Sequence, residues 1–311
     1  MATDAANTAA ASQSPTSSDE RGFISKVGYV LRRWPLLPII IVVGLIFMAV
    51  SAPWLAPFGQ DEQNLRARQA PPIWYTQFYE ENERITDRFI LGADHLGRDI
   101  LTRIMYGARI SLAVAAISLV VGVAVGASLG MVSGFYGKIF DELMMRLVDV
   151  WNALPFLLIA ILAAIVFGQS VSVLLVLLIL ATWAGVVRNV RAEVLTLKTR
   201  DYVAYSRVAG GSDLRIMWRH LTPGLVNTVV VLITLRVGGL ILTEAGLSFL
   251  GAGVPSNIPT WGNMVSDARQ YLNTAWWMAV FPGLAILLIV MSVNFIGDWL
   301  RDRWDPRLRQ L

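Results

Sequence analysis

Long stretches of this chain carry no charged residue, and their lengths predict helices that cross a membrane. A helix needs about 20 apolar residues to span the hydrocarbon core of a bilayer. The uncharged stretches are 34–60, 110–137, 150–187, 220–235, 245–266 and 270–297. The third is long enough for two crossings and is interrupted by Gly168, Gln169 and Ser170. We therefore predict six spans, at roughly 36–56, 109–133, 144–167, 171–187, 226–249 and 276–299.

This pattern favours an all-α integral membrane protein with about six transmembrane helices. Backbone N–H and C=O groups have no water to bond in lipid, so only helices and closed barrels can span it. A barrel would show short alternating strands rather than long apolar blocks. The composition agrees, because 55% of the residues are hydrophobic and 15% are charged, against about 25% charged in soluble proteins.

Charge divides the chain into regions and predicts its orientation. Six spans place sixteen Lys and Arg residues on the side of both termini and seven on the other side. Because basic residues favour the cytoplasmic side, both termini are predicted to be cytoplasmic. The predicted regions are a disordered N-terminal tail (1–34), the first span with an external loop (35–108), a five-helix core (109–299) with a cytoplasmic loop at 188–225, and a C-terminal tail (300–311).

Several classes of chemistry find no support in the residues. The chain has no cysteine and only two histidines, His95 and His220, which lie far apart. Disulfides and thiolate metal sites are excluded, and no metal or catalytic site is predicted. The net charge of +4 is no sign of nucleic acid, because the basic residues sort by membrane side. The phosphate-binding pattern Gly-x-x-x-x-Gly-Lys-Ser/Thr is also absent from the sequence.

The cytoplasmic loop predicts a short helix, a Gly-Gly break and a second short helix that Pro223 ends. Ser212 or Asp213 is expected to cap the second helix. Such a unit on the membrane face would give a partner a rigid contact; the alternative is an ordinary amphipathic interfacial loop. The candidate residues are Asp201, Tyr202, Ala204, Arg207, Gly210, Gly211, Ser212, Asp213, Arg215, Arg219, His220 and Pro223.

Small and charged residues inside the spans supply further candidates. Four glycines at a period of four form a ridge for close helix packing, within this chain or against another subunit; they are Gly122, Gly126, Gly130 and Gly134. Charges in membrane spans are costly and tend to be paired or functional. Arg146 and Asp149 are expected to pair on one helix face. Arg236 and Glu244 are candidates to face a pore or a partner, and Pro155 and Pro282 are expected to kink their helices.

The loop resembles the cytoplasmic loop of ABC importer permeases. That loop has the pattern Glu-Ala-Ala, three residues, Gly, nine residues, Ile, one residue, Leu-Pro. Gly210 and Pro223 occupy the glycine and proline positions. The sequence departs from the pattern at Ala204-Tyr205-Ser206, which replaces Glu-Ala-Ala, and at His220 and Thr222. The missing glutamate puts in doubt any ion pair that it would make.

Two longer blocks resemble dipeptide, oligopeptide and nickel permeases, most closely the second of their two permease subunits. One block is residues 91–112, with Gly92, Asp94, Gly97, Arg98 and Asp99. The other is residues 244–264, at and after the fifth span. The resemblance covers the chain from about residue 35 to its end and implies the type I importer permease fold.

The resemblance implies half of a translocation pathway rather than an enzyme. Expected partners are a second homologous permease, two cytoplasmic ATPases that bind ATP and Mg, an extracytoplasmic binding protein and the lipid bilayer of a bacterial or archaeal cell membrane. No cofactor is expected in this chain. Peptides are the expected cargo, and nickel complexes, glutathione-like molecules or oligosaccharides are alternatives. A secondary transporter is a further alternative, for which internal repeats and midplane carboxylates would be expected.

Overall fold

The computed structural model describes residues 35–82, 85 and 87–304. The predicted N-terminal tail and most of the predicted C-terminal tail lie outside these residues. Their secondary structure is helical apart from an isolated bridge between Ala93 and Asp99. The α-helices are α1 Leu36–Leu55, α2 Thr76–Glu81, α3 Ile100–Tyr136, α4 Lys138–Ala153, α5 Phe156–Phe167, α6 Val171–Leu197, α7 Asp201–Val208, α8 Asp213–Ile216, α9 Thr222–Phe249, α10 Trp261–Ala268 and α11 Trp277–Trp304.

Five helical runs in the described part are long and apolar enough to cross a membrane. They are α1, α3, α6, the run from α8 through α9, and α11; the pair α4 and α5 makes a sixth if it is one broken span. The prediction of an all-α membrane protein with about six spans is confirmed. The expected continuous helix over 144–167 is wrong, because α4 and α5 meet at a bend of 80°.

Pro155 explains the break between α4 and α5. Proline has no N–H to donate and disfavours helical backbone in the residue before it. Leu154 accordingly has extended backbone, with φ −83° and ψ 132°. Proline here separates two helices instead of kinking one. Pro282, in contrast, lies inside α11, which continues through it.

The first loop is shorter than predicted because α3 begins well before the uncharged stretch. Asp99 caps α3, with its Oδ2 accepting a hydrogen bond from the Thr102 amide at 2.7 Å. Residues 100–108 are therefore helical, and the first loop comprises residues 56–99. Its charged residues Arg98 and Arg103 are buried, which hid this end of the helix from a prediction based on uncharged length.

The glycine ridge lies in the contact between α3 and α6. A Cβ atom at Gly126 would lie 2.7 Å from the Trp183 carbonyl oxygen, and one at Gly130 would lie 2.6 Å from that of Val187. Gly122 and Gly134 also approach α6 too closely for a side chain. The ridge thus lets two backbones of the same chain pack together, which is the intramolecular alternative.

The ion pairs of α4 differ from the expectation. Arg146 bonds Glu142 one turn earlier, and Asp149 accepts a bond of 2.6 Å from Arg188 of α6. The predicted Arg146–Asp149 pair is therefore wrong. Asp141 and Arg191 form a two-bond ion pair between the same helices. Partners on α6 were invisible to reasoning along one helix.

Candidate functional site

The coupling segment, residues 201–223, is a helical hairpin that leads into a membrane span. α7 ends near Gly210, whose φ of +75° lies in the left-handed region that favours glycine. The Gly211 amide then bonds the Ser206 carbonyl at 2.9 Å. Ser212 occupies the N-cap position of α8 without a side-chain capping bond. The predicted helix, Gly-Gly turn and second helix are all present in the structure.

Pro223 does not end the second helix as predicted. A π-helical turn over Met217–Leu221 joins α8 to α9, and the Thr222 amide bonds the Met217 carbonyl. In an α-helix the proline ring would clash with a carbonyl four residues earlier; the wider π-turn immediately before it changes the hydrogen-bond register there. The segment and α9 consequently form one helical run from Asp213 to Phe249.

Buried apolar side chains fasten the segment to the helical core. Val203, Ile216 and Leu221 are fully buried, and Met217 is nearly so. They belong to the cluster that contains Val194 of α6. Because both short helices are anchored in this way, the segment has a defined position on the bundle.

The opposite face of the segment exposes large apolar side chains. Tyr205 is 75% exposed, Val208 89%, Leu214 66% and Trp218 65%. Exposed apolar patches of this kind mark contact sites for partners or membranes. These four residues were not among the predicted site residues. Their apolar character within a charged loop was the available signal.

The charged candidates surround this apolar face. Asp201, Ala204, Arg207, Asp213, Arg215 and Arg219 are exposed. The guanidinium of Arg207 lies 5.5 Å from the centre of the Phe135 ring. The rings of Tyr202 and His220 lie 6.4 Å apart. The face therefore combines apolar contact area with positive charge from three arginines.

A buried ionic cluster lies at the opposite end of the bundle. Asp94 Oδ1 accepts bonds from the amides of Leu96 and Arg98, and Asp94 Oδ2 accepts 2.6 Å from Arg98 Nε. Arg103 Nε lies 3.8 Å from Asp94 Oδ2, and Arg98 lies 3.9 Å from Asp267 of α10. The predicted motif residues Asp94 and Arg98 are thus brought together, whereas Arg103 and Asp267 were missed.

Burial sets the ionisation of the carboxylates around this cluster. It raises the pKa of Asp99, and hydrogen bonds from Thr102 and Leu101 partly oppose that rise. Burial also raises the pKa of Asp267, which the charge of Arg103 lowers in part. The motif glycines Gly92 and Gly97 form the turns that bring these side chains together.

The two charged candidates of α9 are directed into the chain. An Arg236 nitrogen lies 3.4 Å from the Thr182 carbonyl, and its guanidinium lies against Gly185 of α6. Glu244 is 1% exposed and accepts a bond of 3.0 Å from Ser248. In this structure Glu244 therefore faces neither an open pore nor a partner surface, and Arg236 is only partly accessible.

Family models assign this helical arrangement. Residues 123–310 match the family described as binding-protein-dependent transport system inner membrane component. The chain belongs to this family. Residues 36–72 match the N-terminal transmembrane domain of oligopeptide transport permease C. The predicted resemblance to an ABC importer permease, most like the second permease subunit of peptide systems, is confirmed.

Curated relatives cover most of the permease chain. The di/tripeptide transport system permease protein DppC of Pseudomonas aeruginosa is 39% identical over 85% of both chains. The dipeptide transport system permease protein DppC of Haemophilus influenzae is 37% identical over 89% of this chain and 92% of its own. DppC of Escherichia coli K12 is 40% identical over 88% of both chains.

A solved importer shares the permease fold. The inward-facing MetNI methionine ABC transporter contains a chain that matches with a TM-score of 0.51 at 18% identity. The match covers 62% of this permease and 91% of that chain. The expected type I importer permease fold is confirmed.

Proposed function

We propose that this chain is the second membrane subunit of an ATP-driven importer of di- and oligopeptides. The observation that carries the cargo assignment is the identity of 37–40% to three peptide permeases over at least 85% of each chain. The match of residues 36–72 to oligopeptide permease C supports the same cargo.

The complex follows from the family design. This chain pairs with a homologous permease, receives cargo from an extracytoplasmic binding protein and docks two cytoplasmic ATPases. ATP and Mg bind to those ATPases, and this subunit makes and breaks no covalent bonds. It resides in the inner membrane of a bacterium or archaeon with both termini in the cytoplasm.

The coupling segment supports a mechanism of transmission. Its exposed apolar face, surrounded by Arg207, Arg215 and Arg219, gives the ATPases a surface to grip. Because the run from Asp213 to Phe249 is helical throughout, a displacement of this face moves α9 with it. α9 packs against buried groups of α3 and α11, so closure of the ATPases is passed to the lining of the pathway.

Reconstituted transport tests this function. The chain is placed in proteoliposomes with its partner permease, both ATPases and the binding protein, and uptake of radiolabelled dialanine is measured. We expect uptake that requires ATP and every component, and competition by unlabelled dipeptides. Stronger competition by a nickel complex, glutathione or an oligosaccharide would reassign the cargo. Uptake by the isolated chain along an ion gradient would instead establish a secondary transporter.

A further inference from the structure

The first loop contains a polar pocket that neither the ionic cluster nor the coupling segment uses. Its volume is about 180 Å³, enough for several water molecules or one small organic cation. Glu62 is exposed at its rim, whereas Asp99 and Phe89 are buried. The pocket is thus open at an acidic rim and closed at an acidic base.

Asp99 leaves an unused carboxylate oxygen at the base of this pocket. The residue is 3% exposed, and its Oδ2 atom caps α3. Its Oδ1 atom is buried and has no hydrogen-bond partner among the described residues. A buried carboxylate oxygen without a partner is costly. The pocket that Asp99 lines is where a donor would be placed.

Nearby cationic side chains are committed elsewhere. Arg98 bonds Asp94, and the guanidinium of Arg88 lies 4.7 Å from the centre of the Tyr79 ring. Among the described residues that line the pocket, none is a lysine or an arginine. The pocket therefore presents negative charge that its own described lining does not neutralise.

An aromatic wall adds a second feature that suits a cation. The rings of Phe58 and Phe89 are stacked, with centroids 5.3 Å apart, and both line the pocket. Cations are attracted to aromatic faces as well as to carboxylates. A bare metal ion fits less well, because no group of three or more His, Cys, Asp or Glu residues in the described part is arranged to hold one.

From these features we propose that the pocket binds a single organic ammonium or guanidinium group. The group would donate to Asp99 Oδ1 at the base, with Glu62 at the rim and the stacked Phe58 and Phe89 rings beside it. Such a group is carried by the amino terminus of a peptide and by lysine or arginine side chains of a protein partner. The binding itself does not depend on the proposed cargo.

Binding of small cations tests the pocket directly. The full chain is placed in nanodiscs of neutral phosphatidylcholine, and saturation-transfer NMR is recorded with ethylguanidinium and propylammonium at constant ionic strength. We expect saturable binding. Asp99→Asn should weaken it at least ~10-fold, since hydrogen bonds to charged groups are the stronger ones. Asparagine caps helices as well as aspartate does, so α3 should keep its start.

Two further variants make the test independent of the fold around Asp99. Glu62→Gln at the exposed rim should also weaken binding, whereas Glu80→Gln, an exposed carboxylate of α2 outside the pocket, should leave it unchanged. The proposal is overturned if the wild-type chain shows no saturable binding or if Asp99→Asn and Glu62→Gln bind undiminished. It is also overturned if calcium displaces the organic cations at lower concentration than they bind.

Competition identifies the source of the cation. Displacement by dialanine but not by its N-acetylated form would assign the pocket to a peptide amino terminus. Displacement by N-acetyl-lysinamide but not by N-acetyl-norleucinamide or dialanine would assign it to a side chain of a protein partner. Either outcome supports the pocket. If none of these compounds displaces the small cations, the site does not recognise a biological ammonium group and the proposal fails.

Discussion

At the residue scale, the two ends of the bundle treat charge in opposite ways. The Asp94–Arg98 pair is buried, with 9% and 8% of the side chains exposed. The Asp149–Arg188 pair is 67% and 55% exposed. A buried pair holds structure only while both partners are present, because removing one strands the other. Exposed pairs contribute little.

Asp94→Asn should therefore destabilise the chain far more than Asp149→Asn. The first change leaves Arg98 and Arg103 buried without their shared carboxylate, and we expect a loss of roughly 3–5 kcal/mol. The second should cost about 0–1 kcal/mol. Thermal unfolding of the purified chain in nanodiscs measures both. Equal effects would contradict the assignment of Asp94 as the centre of the cluster.

Gly210→Trp should uncouple transport from ATP hydrolysis while leaving the spans inserted. The position has space around it, but its φ of +75° costs a side chain about 1–2 kcal/mol, and indole would stand beside the docking face. We expect near-normal membrane levels, loss of most substrate-stimulated ATPase activity and transport, and weaker co-purification of the ATPases.

Gly168→Trp is the matched control for this prediction. Gly168 has a similar φ of +77° and no neighbour near a Cβ atom, but it lies in the turn between α5 and α6. Gly168→Trp carries the same backbone strain and should leave coupling intact. Normal transport by Gly210→Trp in the assembled complex would show that the coupling segment has another role.

At the element scale, the contact of α3 with α6 depends on small residues more than on side-chain interdigitation. The ridge brings α3 against carbonyl oxygens of α6, which cannot rotate away as a side chain can. Close approach through glycine is a recurrent way to pack membrane helices, where apolar side chains gain little from leaving lipid. α3 also caps itself through Asp99 and contributes Arg103 to the ionic cluster, so its position affects both ends of the bundle.

Gly126→Leu should push α3 and α6 apart. Its Cβ atom would lie 2.7 Å from both the Trp183 carbonyl oxygen and Val186 Cβ, and overpacking of this kind costs about 1–3 kcal/mol. Gly239→Leu in α9, where a Cβ atom meets nothing within 4 Å, should be tolerated. Unfolding temperatures of the two variants in the same nanodiscs make the comparison. A destabilisation by Gly239→Leu as large as that by Gly126→Leu would contradict it.

At the scale of the whole molecule, the helices separate two functional ends. The first loop, α10 and the start of α11 pack together at one end, where Trp277 Nε1 bonds the Ala93 carbonyl at 3.3 Å. The coupling segment lies at the other end, beside the last turns of α3 and α6, where Lys198 bonds the Gly134 carbonyl. This separation fits a permease that meets a binding protein on one side and ATPases on the other.

Cysteine labelling in intact cells checks the orientation. The native chain has no cysteine, so single cysteines at Ser17, Gln77 and Gln310 report one position each. Gln77 lies in α2 of the first loop and is exposed. A membrane-impermeant thiol reagent should label Gln77→Cys and leave Ser17→Cys and Gln310→Cys unlabelled until the cells are opened. Labelling of either terminus in intact cells would reverse the proposed topology.

Reading the chain predicted much of the element order because the bilayer acts on each span locally. A run such as 171–187 is long and apolar enough to be recognised without its neighbours, and Gly210 followed by Gly211 marks a turn by backbone freedom alone. The break at Pro155 was also visible as a proline. Its size of 80° was not, because it depends on how α4 and α5 each pack.

Amino-acid order alone thus determined the all-α membrane class, the approximate spans and the coupling hairpin, since hydrophobic length and turn residues act over short distances. Tertiary structure decided which distant groups meet. It placed Asp267 beside Arg98, set Asp149 against Arg188 of α6, directed Glu244 into the chain and left Trp218 exposed. Those outcomes depend on helix rotation and packing, and the rotation of a helix that is apolar all around is not encoded in its own pattern.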